Sequence, residues 1–229
     1  MSLYSILLLC SILVPLALSF DKKIQFYKQW KYLMPSILII ALLYIAFDIY
    51  FIKLGVWGFN SRYHSSILFY KLPLEEWLFF IVIPYASIFL HDSIVLYFSR
   101  IRISNKLAKY LSASLILISL FLVVFNLEKA YTTYIFTLLI LVLVLSFFDK
   151  TNVINSFYCT FFIILIPFVI VNAILTGSFI DEPIVWYNNN ENLGIRFLTI
   201  PVEDFGYAFS LILFNILLRN KLKHKYIRH

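Results

Sequence analysis

Glycine is scarce in this chain, and the motifs that depend on it do not occur. Five glycines are spread over 229 residues, with neither a Gly-x-Gly-x-x-Gly nor a Gly-x-x-x-x-Gly-Lys pattern. Such glycine-rich loops hold the phosphates of dinucleotides and triphosphates. Their absence argues against a tightly bound NAD or FAD.

Residues that form disulfides or bind metals are also few. The two cysteines, Cys10 and Cys159, lie far apart inside apolar runs, which indicates packing rather than a disulfide or a metal framework. The four histidines show no His-x-x-x-His or Glu-x-x-His spacing, the kind that brings metal ligands onto one helix face. We expect no metal site.

Charged residues make up only 14% of the chain, whereas hydrophobic residues make up 62%. An ordinary globular domain is roughly half apolar, so this composition predicts an integral membrane protein. The net charge of +7 does not indicate nucleic-acid binding, because the basic residues cluster in short loops between apolar runs, as they do in membrane proteins.

Seven apolar runs predict an all-α fold with seven transmembrane helices. Each run approaches the roughly 20 residues that a helix needs to cross the hydrocarbon core. The runs cover residues 2–20, 33–53, 74–98, 110–127, 131–148, 156–176 and 202–218.

The distribution of basic residues predicts the orientation of these helices. The loops on one side carry fourteen lysines and arginines and those on the other side carry five. The positive-inside rule then places the chain in the cell membrane as a multi-pass protein with its C-terminus in the cytoplasm and its N-terminus outside. The first run has no basic residue before it and Asp21-Lys22-Lys23 after it, which favours a retained helix over a cleaved signal peptide.

One acidic motif occurs twice. Pro-Leu-Glu-Glu at residues 73–76 and Pro-Val-Glu-Asp at residues 201–204 lie 128 positions apart, and each opens an apolar run. Four of the twelve acidic residues of the chain are therefore concentrated in these two places. The four acids are Glu75, Glu76, Glu203 and Asp204.

Other matches at the same spacing predict an internal repeat. Phe-Asp-Lys at residues 20–22 recurs at residues 148–150. Runs 1 to 3 thus correspond to runs 5 to 7, and run 4 lets both triplets insert in the same orientation. Such parallel repeats are related by an axis along the membrane normal, with ligand groups between the halves. The predicted divisions are a first repeat at 1–98, a linker with span 4 at 99–130, a second repeat at 131–218 and a basic cytoplasmic tail at 219–229.

The acid pairs have a structural and a chemical interpretation. Acids in the first turn of a helix are stabilised by the helix dipole, and a preceding proline suits such a start. Ionisable groups beside hydrocarbon, however, usually face a cavity or a partner. Adjacent helical residues point about 100° apart, so we expect one acid of each pair to face inward, where the two inward acids converge and can donate or accept a proton.

Aromatic residues surround both motifs. They are typical of an interfacial belt, and their π faces can also stabilise a cation where water is excluded. An acid within an apolar helix, Asp48, is a further candidate, with a hydrogen bond to a neighbouring helix as the structural alternative. The predicted substrate-binding residues are Asp48, Trp57, Trp77, Phe79, Phe80, Trp186 and Tyr187.

Together, the two motifs resemble the paired Pro-x-Glu-Glu/Asp signatures of membrane lycopene cyclases of the heterodimeric type. The similarity is to the fused form of that family and covers nearly the whole chain. The loops before each signature, which contain Trp57-Gly58-Phe59-Asn60 and Trp186-Tyr187-Asn188, are similar to the family too.

This resemblance implies an isomerase that cyclises the acyclic ψ-ends of lycopene to β-ionone rings, without net redox change and without a cofactor. It implies that Glu75 or Glu76 from one repeat and Glu203 or Asp204 from the other donate and accept the proton. Ring isomer and exact carotenoid stay open, as do association with other carotenoid enzymes and a homo-oligomer. The competing interpretation is a small membrane transporter or a structural membrane subunit, since parallel repeats also occur in transporters.

Overall fold

The computed structural model describes residues 1–227 and confirms an all-helical architecture. Each predicted apolar run coincides with one of seven α-helices in the described residues. These are α1 Leu3–Leu18, α2 Trp30–Leu54, α3 Leu74–Tyr97, α4 Asn105–Val124, α5 Ala130–Phe147, α6 Ile154–Leu175 and α7 Val202–Ile227. Most of the predicted tail is a continuation of α7, and residues 228 and 229 lie outside the described residues.

Five helical segments are long and apolar enough to cross a membrane, so the protein is membrane-embedded. Helix α1 is apolar but has only 16 residues. Helix α7 has two acids in its first turn and basic residues in its last turn. The five segments are Phe26–Leu54, Leu74–Tyr97, Asn105–Val124, Ala130–Phe147 and Ile154–Leu175.

Two matching hairpins start α3 and α7. Strand β2 (Leu68–Phe69) pairs with β3 (Leu72–Pro73), and β5 (Arg196–Phe197) pairs with β6 (Ile200–Pro201). Each proline thus ends a short strand directly before the helix rather than lying in its first turn. The backbone N–H after each proline donates to a carbonyl of the incoming loop, at 3.0 Å in both hairpins. The same local structure therefore positions both acid pairs.

A third ribbon joins the two halves. Strand β1 (Trp57–Phe59) precedes the first hairpin and pairs antiparallel with β4 (Val185–Tyr187), with Gly58 opposite Trp186 at the centre. These two central residues are 128 positions apart, which is the repeat spacing. An antiparallel pair of equivalent segments centred in this way has local two-fold symmetry. The ribbon therefore marks the axis that relates the halves.

The helices pack in corresponding ways in the two halves. Helix α1 packs on α3 and α5 packs on α7, while α2 contacts both α3 and α7. Helix α6 lies chiefly against α3 and touches α7 much less, and α4 packs along the outside of α5. The space that α6 leaves beside α7 adjoins α1 and α3, and it holds the main cavity described below.

The centre of the ribbon has room for only one side chain. A Cβ atom on Gly58 would lie 2.4 Å from the Trp186 ring. We expect Gly58→Ala to lower the free energy of unfolding by about 1–3 kcal/mol through overpacking. A double-mutant cycle with Trp186→Ala, read from thermal unfolding, should show that the same alanine costs little once the indole is gone. An equal cost in both backgrounds would contradict this account of the ribbon.

Candidate active site

A cavity of about 470 Å³ lies between the two halves and is lined mainly by apolar side chains. Its walls come from α1, α3, α6 and α7, with contributions from α5 and the central ribbon. The two acids of this cavity and their hydrogen-bond donors gather at one end, where the hairpins lead into α3 and α7. They are Tyr4, Glu76, Tyr131, Asn172, Tyr187 and Asp204.

Glu76 is the acid of the first half that lines this cavity. Its Oε2 atom accepts a hydrogen bond of 2.6 Å from the hydroxyl of Tyr4 on α1. Both side chains are buried. A buried carboxyl without partners is costly, so this hydrogen bond holds Glu76 in place at the cavity wall.

Asp204 is the corresponding acid of the second half, and it has more partners. The hydroxyl of Tyr131 on α5 donates to Oδ1 at 2.5 Å. Asn172 Nδ2 and the Tyr187 hydroxyl donate to Oδ2 at 2.8 Å and 3.1 Å. Tyr131 occupies the position in α5 that Tyr4 occupies in α1. The halves therefore present equivalent acids that differ in the number of donors.

Tyr187 lies in β4, outside the helices, and its hydroxyl donates to Asp204. Burial raises the pKa of its hydroxyl well above the usual range, and the nearby carboxylates of Asp204 and Glu76 raise that pKa further. The hydroxyl therefore stays protonated at neutral pH and can stabilise charge on Asp204.

The other two acids do not line the cavity. Glu75 accepts hydrogen bonds from the hydroxyls of Ser2 and Ser5 and from the backbone and hydroxyl of Ser65, at 2.6 to 2.9 Å. Glu75 therefore connects the start of α3 to the start of α1 and to the loop before its hairpin. Glu203 repeats the arrangement: its Oε1 accepts from the Thr132 hydroxyl and the Leu193 backbone N–H, both at 2.7 Å.

The predicted aromatic residues divide into two groups. Trp57, Phe79 and Tyr187 line the cavity, and the Trp57 ring lies 5.4 Å from Tyr131 and 5.7 Å from Tyr187 between centroids. Three others lie elsewhere. Phe80 is buried between Tyr44 and Tyr207, Trp77 packs on Phe69, and Trp186, 43% exposed, covers Gly58.

Comparison with known proteins now gives the family. The lycopene cyclase family model matches residues 1–94 and 128–222, which together form most of the chain and coincide with the two halves. The chain belongs to the lycopene cyclase family. A search of curated proteins and a search of solved structures found no match. The protein is thus an enzyme of carotenoid biosynthesis that catalyses a cyclisation, and its substrate is a lipophilic carotenoid.

Three hydrogen-bond donors to the cavity acids of this lycopene cyclase, Tyr4, Tyr131 and Asn172, were not among the residues predicted from the sequence. A signal for two of them was present, because the similar pairs Tyr4-Ser5 and Tyr131-Thr132 lie 127 positions apart, one fewer than the spacing of the acid motif. No comparable signal marks Asn172. It donates to Asp204, and no residue in the first half donates to Glu76 in the same way within the described residues. Among the described residues, no group of three or more His, Cys, Asp or Glu side chains could hold a metal ion.

Asp48 of the lycopene cyclase lies in α2 and does not line the cavity. Its side chain is 0% exposed, and within residues 1–227 neither carboxyl oxygen has a hydrogen-bond partner. The expected hydrogen bond to a neighbouring helix is therefore absent from the described residues. Burying a polar group without a partner costs about 1–3 kcal/mol.

We therefore expect Asp48→Val to raise the thermal unfolding temperature of the purified protein. The matched control is Asp92→Val, which removes an acid of the same type that pairs with Arg219 at 2.5 Å. It should lower that temperature, because it leaves a buried arginine unpaired. A loss of stability in Asp48→Val would show that this carboxyl has a stabilising partner.

Proposed function

We propose that the protein is an isomerase that cyclises the ψ-ends of lycopene to β-ionone rings, with Glu76 as the general acid and Asp204 as the general base. One observation carries the proposal. A carboxyl from each half lines the same apolar cavity, and a tyrosine at the equivalent position of each half donates to it. The reaction needs one group to give a proton and one to take it.

The proton balance of the reaction fits two carboxyl groups. The acid protonates the terminal double bond at C2, which leaves a tertiary cation at C1. The C5=C6 bond attacks that cation, so the C1–C6 bond closes the ring and the positive charge moves to C5. The base then removes the proton at C6 to form the ring double bond. One proton enters and one leaves, without an oxidant or reductant.

The hydrogen bonds support the assignment of the two roles. Asp204 has three donors, from Tyr131, Asn172 and Tyr187, and hydrogen bonds to a carboxylate stabilise its charged form. That suits a base. Glu76 has one donor, from Tyr4, so it is the better candidate to hold a proton in apolar surroundings.

The cavity aromatics suit a cationic intermediate. Trp57 and Phe79 line the space close to the polar end, and π faces attract a cation by about 2 kcal/mol or more where water is excluded. The apolar remainder of the cavity suits the polyene chain. Because α1 and α6 both contribute to the wall, we infer that lycopene enters sideways from the lipid between these two helices.

Glu75 and Glu203 are assigned a positioning role. Glu75 connects the start of α3 to the start of α1, and Glu203 connects the start of α7 to the start of α5. Each thus fixes the orientation of the neighbouring acid. All seven helices are proposed to span the membrane, with the N-terminus outside and the C-terminus in the cytoplasm. The catalytic end of the cavity then faces the outer side, in agreement with the basic residues at the opposite end.

The decisive test replaces each cavity acid in cells that accumulate lycopene. We expect Glu76→Gln to lower ring formation by about 10²–10⁴-fold, because the proton donor is lost. Asp204→Asn should lower it as well, but its residual product should contain rings with displaced double bonds, since the C5 cation then loses a proton from another carbon. Chromatography of the pigments and quantification of membrane-inserted protein provide the measurement.

The matched controls are Glu75→Gln and Glu203→Gln, which change neighbouring acids that do not line the cavity. We expect them to lower thermal stability while more cyclisation remains than in Glu76→Gln. Wild-type product from Glu76→Gln, at normal protein levels, would remove that residue from the mechanism.

The shape of the cavity yields a second prediction. Within the described residues, one cavity contains the acids of both halves, so we expect one end of lycopene to be cyclised per binding event. A time course with limiting enzyme should show the one-ringed product before the two-ringed product. Direct appearance of the two-ringed product, without the intermediate at any time, would contradict this.

A further inference from the structure

A second cavity, of about 570 Å³, lies at the opposite end of the helices from the acids. It is formed by the last part of α3, the start of α4, the start of α6 and the last part of α7. Along α3 the distance from Glu76 to Asp92 is about 24 Å at 1.5 Å per residue. This cavity is therefore separate from the catalytic site, and the cyclisation mechanism does not use it.

Most of the residues that line this cavity carry polar side chains, and the positively charged ones outnumber the acids. Arg102, Arg219 and Lys223 line it, and Asp92 is the one acid among its lining residues. Arg102 comes from the loop before α4, whereas Arg219 and Lys223 lie one turn apart on α7. The cationic groups thus converge from different parts of the chain. An excess of positive charge on a concave surface attracts anions.

Arg219 gives the strongest indication of a ligand. The residue is 5% exposed, and its Nη1 donates to Asp92 Oδ2 at 2.5 Å. Its Nε–H has no partner within residues 1–227. Buried polar groups nearly always have a hydrogen-bond partner, so an unpaired donor of this kind calls for an explanation. Because Nε is shielded from solvent, a shift of the Arg219 side chain towards the cavity would let a bound anion supply the missing acceptor.

Two helix N-termini reinforce the positive potential. Helix α4 begins at Asn105 and α6 begins at Ile154, and residues of both first turns line the cavity. The N-terminus of a helix carries partial positive charge and favours bound anions. The amide of Asn155 donates to Asn105, which connects the two helix starts.

We propose that this cavity binds a phosphate group. A phosphate carries a charge of about −1.5 to −2 and three acceptor oxygens. The cavity offers two arginines, a lysine and two helix N-termini, against a single acid. Guanidinium groups bind phosphate oxygens in pairs, and lysine adds a point charge. The phosphate comes either from an anionic lipid headgroup in the adjacent leaflet or from a free phosphate compound in solution.

The test measures binding in the full-length protein purified in lipid-depleted detergent. One arm adds inorganic phosphate, with potassium chloride at equal ionic strength as the reference. The other arm places the protein in nanodiscs of phosphatidylglycerol or of phosphatidylcholine. The readout is the thermal unfolding temperature, because a ligand that binds only the folded state raises it, together with the lipids retained in native mass spectrometry.

The key variant is Arg102→Gln with Lys223→Gln, which leaves the Arg219–Asp92 pair intact. Its matched control is Arg100→Gln with Lys221→Gln, since these exposed residues come from the same loop and the same helix but do not line the cavity. We expect about tenfold weaker phosphate binding in the first double variant and unchanged binding in the second. Lys223→Gln alone serves if the first double variant does not fold.

A shift with inorganic phosphate identifies a free phosphate compound as the ligand, and a shift confined to phosphatidylglycerol identifies a lipid headgroup. Either result supports the proposal if the shift in unfolding temperature is smaller in the cavity variant and unchanged in the control variant. The absence of both shifts, or an equal shift in the cavity variant and its control, overturns it. Phosphate binding should persist in Glu76→Gln, so the outcome is independent of the proposed catalytic role.

Discussion

The structure depends on a hydrogen bond between a tyrosine at the start of one helix and a carboxyl at the start of another. Tyr4 donates to Glu76, and Tyr131 donates to Asp204. In apolar surroundings each carboxyl needs such a partner. These two hydrogen bonds connect α1 to α3 and α5 to α7 at their first turns. The contacts that stabilise the buried acids thus also hold these helices against each other. The same hydrogen bonds therefore position the proposed catalytic groups and hold the helices of each half together.

Duplication accounts for the two acids, and the differences between the halves account for the separate roles proposed for them. The hairpins and the tyrosine contacts repeat, but Asn172 and Tyr187 donate to Asp204 alone. The central ribbon is asymmetric too, because it places a tryptophan opposite a glycine. A fully symmetric site would present two equal acids, whereas a proton transfer needs a donor and an acceptor that differ.

Much of this arrangement could be predicted from the sequence. Apolar run lengths predicted six of the seven helices to within about five residues at each end, because the length of an apolar run is itself a physical constraint. Helix α7 continues nine residues beyond its predicted run, into the basic segment. The spacing of the motifs indicated which acids would correspond. The sequence did not reveal which acid of each pair faces the cavity. Adjacent helical residues point about 100° apart, and the hairpin before the helix determines which of the two directions faces inward. For the same reason, Phe80 and Phe79 could not be separated into core and cavity residues.

The far ends of α3 and α7 also matter for the acids at their near ends. Asp92 on α3 and Arg219 on α7 form a partly buried ion pair, while the β1–β4 ribbon joins the halves at the other end. A shift of one residue along a helix moves a side chain by about 1.5 Å and turns it by about 100°, which would take Glu76 or Asp204 out of the cavity. With the ion pair at one end and the ribbon at the other, α3 cannot slide along α7 without breaking a buried contact. The basic end of the protein thus helps to keep the two carboxyl groups facing the same substrate.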